Sequence, residues 1–230
     1  MSRPAVLPVT DGPEVLHATW SVSRETLDRL TIYVNLLLRW QSAQNLVAPS
    51  TLGEVWRRHV ADSFQVSDCA PDARVWADFG SGAGFPGLVT AIRLMERGGG
   101  HVHLVESNQR KAAFLRTVIR ETGCPATVHA ERIETVTARL LDTPPGDDGP
   151  VTAVSARALA DLKQLCAYAA PFSATGALCI FHKGRNFRDE VAQASHQWDF
   201  DLVEKESLID PDSRILVLGR IRPRRVAGKG

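Results

Sequence analysis

Hydrophobic residues follow two different periods along the chain, and the period changes near Ala73. Before that point apolar residues recur at the spacing of amphipathic helices. One helix is predicted from Ser23, its cap, to about Gln44. A second helix is predicted from Thr51, because Thr51 and Glu54 match the pattern of a capping box. Residues 1–20 carry three prolines and no clear period, so we expect a poorly ordered lead-in there.

After Ala73 short apolar runs, which are predicted strands, alternate with helical segments. Such β/α units predict a parallel sheet with helices on both faces. The last two strands, about Asp199–Lys205 and Ile215–Ile221, follow each other directly and indicate an antiparallel pair. Pro171 is expected to end the helix that begins near Leu159. The predicted fold is therefore α/β, with a mostly parallel seven-stranded sheet and an N-terminal helical extension. The expected divisions are a lead-in and helical cap (1–72), a sheet domain (73–222) and a basic tail (223–230).

The stretch from Val75 to Gly87, VWADFGSGAGFPG, is the strongest local motif. It predicts a buried strand, a turn built on glycines and a helix that starts at Pro86. Glycines allow a sharp turn and a close approach of a ligand to the main chain, and the helix start adds free N–H groups. Phe85 stands where a dinucleotide fingerprint has its last glycine, which disfavours a nicotinamide cofactor.

An acid at the end of the next strand extends this motif. Glu106 is placed to accept hydrogen bonds from ribose hydroxyls, as the corresponding acid does in dinucleotide folds. The order D-x-G-x-G-x-G followed by this acid resembles the S-adenosylmethionine (SAM) corner of Rossmann-like methyltransferases. The predicted SAM contacts in this corner are Asp78, Gly80, Gly82, Phe85 and Glu106. The alternative is a glycine-rich loop that only turns the chain.

The charge and the cysteines say less about function than the glycine motif does. The net charge is +1, but the segment from Arg214 to Gly230 holds six basic residues and no acid. Such a tail is typical of contact with a polyanion, or equally of a solvated chain end. The four cysteines form no C-x-x-C pair, so we expect reduced thiols, no metal site and a cytoplasmic protein. The N-terminus lacks the order of a signal peptide, and no apolar run is long enough to span a bilayer.

Seven sequence blocks, which start near Leu38 and end near Lys183, carry a family resemblance: LLRWQSAQNLV, RRHVADS, DFGSGAGFPGL, LVESNQRKAAFLR, RIET, SARAL and HKG. Together they resemble the bacterial small-subunit rRNA guanine-N7 methyltransferase family (RsmG, also called GidB). The resemblance implies a Rossmann-like SAM-dependent methyltransferase with an N-terminal helical cap. It also implies that the substrate is N7 of one guanine in the 530 loop of 16S rRNA, within the 30S subunit or its precursor.

The resemblance assigns further residues by motif position. Gly80 and Phe85 line the SAM pocket, Ile133 and Glu134 meet the adenine end, and Arg157 reaches in from the end of the fourth strand. Candidate substrate contacts are Asn45, Arg58, His59, Asp62 and Ser63.

The chemistry of guanine N7 narrows the roles these residues can have. Its free lone pair needs no general base, so orientation is the main requirement. Asp78 is the candidate carboxylate near the sulfonium, and we hypothesise that Arg157 and Lys183 position an rRNA phosphate or the guanine O6 edge.

Other functions remain open at this point. A methyltransferase of another RNA or of a small molecule would share the SAM corner, and an RNA-binding module without catalysis would share the basic surface. An amino-group methylase would typically carry an N-P-P-Y-like sequence where this chain has SARA. A cytosine-C5 enzyme would need a nucleophilic cysteine there, and Cys166 lies well inside the following predicted helix.

Overall fold

A seven-stranded sheet forms the centre of the computed structural model, which describes residues 9–142 and 149–225. The strand order is β3-β2-β1-β4-β5-β7-β6. All neighbouring pairs from β3 to β5 are parallel, and β7 is antiparallel to both β5 and β6. The predicted α/β fold with one reversed strand is thus confirmed. The strands are β1 (Val75–Phe79), β2 (His101–Val105), β3 (Ala126–His129), β4 (Ala153–Arg157), β5 (Leu178–Lys183), β6 (Trp198–Glu206) and β7 (Arg214–Pro223).

Helices cover both faces of this sheet. They are α1 (Arg24–Gln41), α2 (Asp62–Asp68), α3 (Gly87–Glu96), α4 (Gln109–Thr122), α5 (Ile133–Asp142), α6 (Leu162–Ala174) and α7 (Phe187–Ala194). The predicted cap at Ser23 is confirmed, because its side chain accepts a hydrogen bond from the Thr26 N–H. Asn108 caps α4 in the same way, and Gly123 ends α4 in the left-handed conformation.

The lead-in is better ordered than predicted over residues 9–20, while residues 1–8 lie outside the described part of the chain. A short 3₁₀ helix spans Pro13–Leu16, and the Leu16 side chain is fully buried. The Trp20 Nε1–H donates to Asp68 Oδ2 over 2.6 Å. The expectation of a poorly ordered lead-in is therefore wrong for residues 9–20, because they complete the core beneath α2.

The second predicted helix does not begin with the capping box expected at Thr51. It starts as a 3₁₀ turn at Pro49–Glu54 and continues as a π-helical turn at Trp56–Ala61 before α2. The capping box is wrong, since the Thr51 hydroxyl donates to the Ala48 carbonyl. The N–H groups of Trp56 and Arg57 instead donate to the Asp11 carboxylate, at 3.3 and 2.7 Å.

Pro171 was expected to end helix α6, and this prediction is wrong, because α6 continues through Pro171 to Ala174. Pro171 lies on the exposed side of the helix, as does Ala167 one turn before it. Water can therefore replace the missing N–H at the Ala167 carbonyl, which removes the main penalty of an interior proline.

The basic segment from Arg214 onward is mostly the strand β7 rather than a free tail. Arg220 forms an ion pair with Asp201, and Arg222 and Arg224 lie 3.9 and 3.8 Å from the Asp199 carboxylate. Much of this positive charge is thus paired with the neighbouring strand β6. Residues 226–230 of the predicted tail lie outside the described part.

The N-terminal helices pack on the same face of the sheet as α3 and α4. Helices α5, α6 and α7 cover the opposite face with a second apolar cluster. This arrangement brings α1 behind the glycine turn, where the Tyr33 hydroxyl donates to the Ala83 carbonyl over 2.5 Å. The helical cap therefore supports the turn that the sequence motif predicts as the ligand site.

Candidate active site

A cavity of about 900 Å³ opens at the carboxyl ends of β1, β4 and β5. The glycine turn after β1 forms one side, Arg157 and Ala158 follow from β4, and His182 and Lys183 from β5. Ligands of open α/β sheets bind at this edge, and the volume is within the range of small-molecule sites. Ala158 has a φ of 53°, which is uncommon for a residue with a side chain and marks a local constraint at the cavity wall.

The glycine turn fits a ligand that approaches the main chain. Gly80 and Gly82 have φ values of 63° and 55°. A Cβ at Gly80 would lie 2.6 Å from the Leu159 side chain, so the turn is packed tightly from behind. A Cβ at Gly82 would meet only the Gly80 carbonyl oxygen, at 3.6 Å, so this glycine faces the open space of the cavity. The backbone therefore offers the cradle that SAM requires.

Glu106 is held between the glycine turn and the start of α4. Its Oε2 accepts from the Gly82 N–H over 2.9 Å, and its Oε1 accepts from the Asn108 N–H over 2.7 Å. Each carboxylate oxygen keeps a lone pair after these contacts, so the group can still accept hydrogen bonds from two hydroxyls. Glu106 is largely buried and is not among the cavity-lining residues. Ile133, buried, and Glu134, exposed, lie at the start of α5 and do not line it either.

Asp78 is fully buried beneath the turn and does not reach the cavity. Its Oδ1 accepts from the Ser155 hydroxyl over 2.7 Å, while its Oδ2 has no hydrogen-bond partner among the described residues. Burial raises the pKa of this carboxyl to about 6. The structure thus ties the Asp78 side chain to β4 through Ser155, and the hypothesised contact with the cofactor sulfonium does not follow from this position.

Arg157, His59 and Phe85 form the floor of the cavity. The Arg157 guanidinium donates to the His59 Nδ1 over 2.5 Å and to Asp62 Oδ2 over 3.2 Å. The His59 ring stacks on the Phe85 ring at 5.0 Å, and the Arg157 Cζ lies 5.4 Å from the centre of the same ring. The other imidazole nitrogen, Nε2, lies 2.8 Å from the Thr51 hydroxyl.

The charges of this floor are fixed by burial and by neighbouring groups. Burial, together with Arg157, lowers the pKa of His59 to about 3, so the imidazole is neutral at physiological pH. Burial alone would raise the pKa of Asp62, but His182 and Arg157 hold it below its usual value. The His182 Nε2 is 3.0 Å from Asp62 Oδ1, without the alignment of a good hydrogen bond. Asp62 is therefore a carboxylate and His59 carries no charge.

Lys183 lines the cavity but is already engaged. Its ammonium group donates to the Ala160 carbonyl over 2.8 Å and lies 2.5 Å from Glu190 Oε2. Glu190 in turn accepts from the Leu162 N–H and so caps the start of α6. The structure therefore holds Lys183 in the wall, where its charge is largely neutralised.

The mouth of the cavity is cationic. Arg57 and Arg58 are exposed and Lys111 is half-buried, and all three line the cavity. Within residues 9–142 and 149–225 none of them has a carboxylate at ion-pair distance. These side chains are free to meet an anionic ligand.

Two predicted substrate residues are not brought to the cavity surface. Asn45 is exposed outside the lining, in a loop whose next residues are held by the Gln41 side chain. Ser63 is fully buried, and its hydroxyl donates to the His59 carbonyl over 2.6 Å. Two relevant residues were missed, Tyr33 behind the turn and the buried Gln65 on α2. A polar side chain within an apolar helical stripe was the available signal for both.

The described ranges contain neither a metal-binding cluster nor a membrane-spanning helix. There, no three or more His, Cys, Asp or Glu side chains are grouped to hold a metal ion. No described helix combines the length and the apolar character needed to cross a bilayer.

The fold and this site together define a Rossmann-like methyltransferase. The same fold occurs in the O-methyltransferase from Bacillus cereus in complex with SAH, with a TM-score of 0.55, 13% identity and coverage of 90% of this chain and 95% of that one. The O-methyltransferase TomG from Streptomyces achromogenes in complex with SAM gives a TM-score of 0.56 at 11% identity, with 90% and 94% coverage.

Sequence comparison identifies the family. The profile of the GidB family, described as rRNA small subunit methyltransferase G, matches residues 26–214. The Rhizobium etli protein of that name is 49% identical over 203 residues, which cover 87% of this chain and 95% of the relative. The Rhodospirillum centenum protein is 52% identical over 208 residues, with 90% of both chains covered. The chain belongs to the rRNA small subunit methyltransferase G family, and the resemblance found in the sequence blocks is confirmed.

Proposed function

We propose that this protein transfers the methyl group of SAM to N7 of one guanine in the 530 loop of 16S rRNA. The observation that carries the proposal is a single cavity that joins a glycine turn suited to SAM with a cationic mouth suited to RNA phosphates, whose Arg57, Arg58 and Lys111 have no carboxylate partner among the described residues. Membership of the family supports rRNA as the substrate. The substrate form is the 30S subunit or its precursor, in the cytoplasm.

The cofactor site combines the exposed backbone of Gly80 and Gly82 with Phe85 and Glu106. The turn presents its main chain, Phe85 offers an apolar face, and Glu106 keeps acceptor capacity for the ribose hydroxyls. Ile133 and Glu134 remain the proposed neighbours of the adenine, at the start of α5. When bound, SAM supplies a methyl group made electrophilic by a positively charged sulfur.

The residues of this chain need only orient the two reactants. N7 of guanine has an in-plane lone pair, so no proton has to leave before attack, and the neutral His59 is not required as a base. Orientation of this kind lowers a barrier by roughly 7–11 kcal/mol. Arg157 is a positioning residue: it fixes His59 and lies over Phe85, and these rings form the surface on which the reactants lie.

The cationic mouth gives the first test of the RNA substrate. Neutralising Arg57 and Arg58 together removes two phosphate contacts, and each contact contributes about 0.7–0.9 to the slope of log affinity against log salt. We expect the double alanine variant to bind 30S subunits more weakly, with a slope reduced by about 1–2. Filter binding of subunits from cells that lack the protein measures both quantities.

A matched control uses two arginines on the outer face of α4. Arg116→Ala with Arg120→Ala removes the same charge at exposed positions outside the cavity lining and should leave the slope unchanged. Equal slopes for the two double variants would contradict RNA contact at the mouth. The substrate itself is tested by mapping N7-methylguanine in 16S rRNA from the deletion strain, where an unchanged 530 loop rules out the proposed target.

A further inference from the structure

The turn between β6 and β7, Ser207–Ser213, forms a wall of the cavity that the reaction described above does not use. Four of its residues line the cavity: Ile209, Asp210, Pro211 and Ser213. In the sheet, β7 is the third strand from β1. Because neighbouring strands are about 4.8 Å apart, this wall lies about 14 Å from the glycine turn. It therefore lies on the side of the cavity opposite the predicted cofactor corner.

One buried amide anchors this wall. Gln65 on α2 is only 6% exposed. Its Oε1 accepts from the Leu208 N–H over 2.7 Å, and its Nε2 lies 3.4 Å from the Ser207 hydroxyl oxygen. The same hydroxyl oxygen accepts from the N–H groups of Ile209 and Asp210, each at 3.1 Å. The conformation of the turn thus depends on a side chain from the N-terminal cap.

Gln65 also contacts the floor of the cavity. Its Nε2 donates to Asp62 Oδ1 over 3.1 Å, and the other oxygen of Asp62 accepts from Arg157. Removing this buried amide would leave Asp62 and the Leu208 N–H without a hydrogen-bond partner that Gln65 now supplies, so the side chain connects the turn to the floor. The wall and the floor are therefore held in one fixed relation.

An exposed apolar side chain stands beside this anchor. Leu208 is 65% exposed, although its own N–H is tied to Gln65. Single-stranded RNA presents unstacked bases, which pack against apolar and aromatic side chains. The cations at the mouth can contact the phosphates. Ile209 and Pro211 in the cavity wall, together with Leu208 just outside the lining, offer apolar contacts for bases.

We propose that the β6–β7 turn is an rRNA-contacting surface, in which Leu208 packs against an unstacked base next to the target guanine and Gln65 is the positioning residue that sets the turn. This inference rests on the proposed function, because it takes a single-stranded RNA loop as the methyl acceptor.

Two variants test it, Leu208→Ala and Gln65→Met, with Gln193→Met on the exposed side of α7 as the matched control. We expect each test variant to raise KM for 30S subunits about tenfold, which corresponds to loss of one buried apolar contact or of one buried hydrogen-bonding group. For Leu208→Ala the Kd of SAM, measured by calorimetry, should stay within about twofold, because this side chain is exposed and the turn is remote from the cofactor corner. The control should match the wild type in both.

The possible outcomes separate the hypotheses. If the wild-type protein does not methylate 30S subunits, the proposed function itself is wrong. If the wild type is active, an unchanged KM for Leu208→Ala overturns the proposed RNA contact. This variant tests the proposal even if Gln65→Met fails to fold, because Leu208 is exposed and its replacement should not disturb the core. A rise in the SAM Kd that equals the rise in KM assigns the wall to the cofactor instead and also overturns the inference.

Discussion

The carboxyl group of Asp78 connects the glycine turn to the pH dependence of stability. Burial raises its pKa to about 6, so between pH 4 and 6 the folded protein holds a proton that the unfolded chain releases. Its contribution to stability is full below the unfolded pKa and is lost as pH rises through the folded pKa. We expect the unfolding free energy of the wild type to fall by about 2–3 kcal/mol relative to Asp78→Asn between pH 4 and pH 7. Urea denaturation at several pH values measures this difference.

Asp68 provides the control for Asp78, because its pKa is shifted in the opposite direction. Although burial favours its neutral form, Arg93 and the Trp20 N–H hold its pKa below the usual value. Its stabilising effect is therefore present above the unfolded pKa and is lost as pH falls. We expect Asp68→Asn to be less stable than the wild type at neutral pH, and this difference in unfolding free energy should shrink as the pH falls. A constant difference between wild type and Asp78→Asn at all pH values would contradict a neutral buried acid.

At the scale of elements, local signals predicted what is set locally. The cap at Ser23 and the alternation of strands and helices depend on neighbouring residues, and both predictions are confirmed. The capping box at Thr51 was predicted wrongly, because the capped N–H groups are those of Trp56 and Arg57, and their acceptor is Asp11, which lies 45 residues away from Trp56. A capping box cannot reveal a partner that only tertiary structure supplies.

The Asp11 cap can be tested directly. Asp11→Ala leaves the N–H groups of Trp56 and Arg57 without their acceptor, which costs about 1 kcal/mol for a typical cap. We expect this loss in the unfolding free energy, with faster amide hydrogen exchange at those two residues. Asp72→Ala, at an exposed position, serves as the control. Unchanged exchange at Trp56 and Arg57 would show that the cap contributes nothing.

At the scale of the whole molecule, the candidate site combines segments that are far apart in the chain. The glycine turn could be predicted from the sequence because its residues are contiguous. The floor could not, because Arg157 meets His59 across 98 residues, and the wall depends on Gln65 meeting Leu208 across 143 residues. Motifs in the sequence therefore predicted the glycine turn at the edge of the cavity but placed Ser63 and Asn45 at a surface they do not reach.

Cofactor binding at this corner should be visible in the stability of the whole protein. SAM at about 100 times its Kd adds about 2.7 kcal/mol, which raises Tm by about 5–10 °C for a chain of this size. Gly82→Ala should reduce this shift below about 2 °C, since a Cβ at φ 55° projects into the space the ligand needs. Gly219→Ala in β7, where a Cβ meets nothing within 4 Å, should retain the full shift. Thermal scans with and without SAM decide the matter, because equal shifts for both variants would place the cofactor away from the glycine turn.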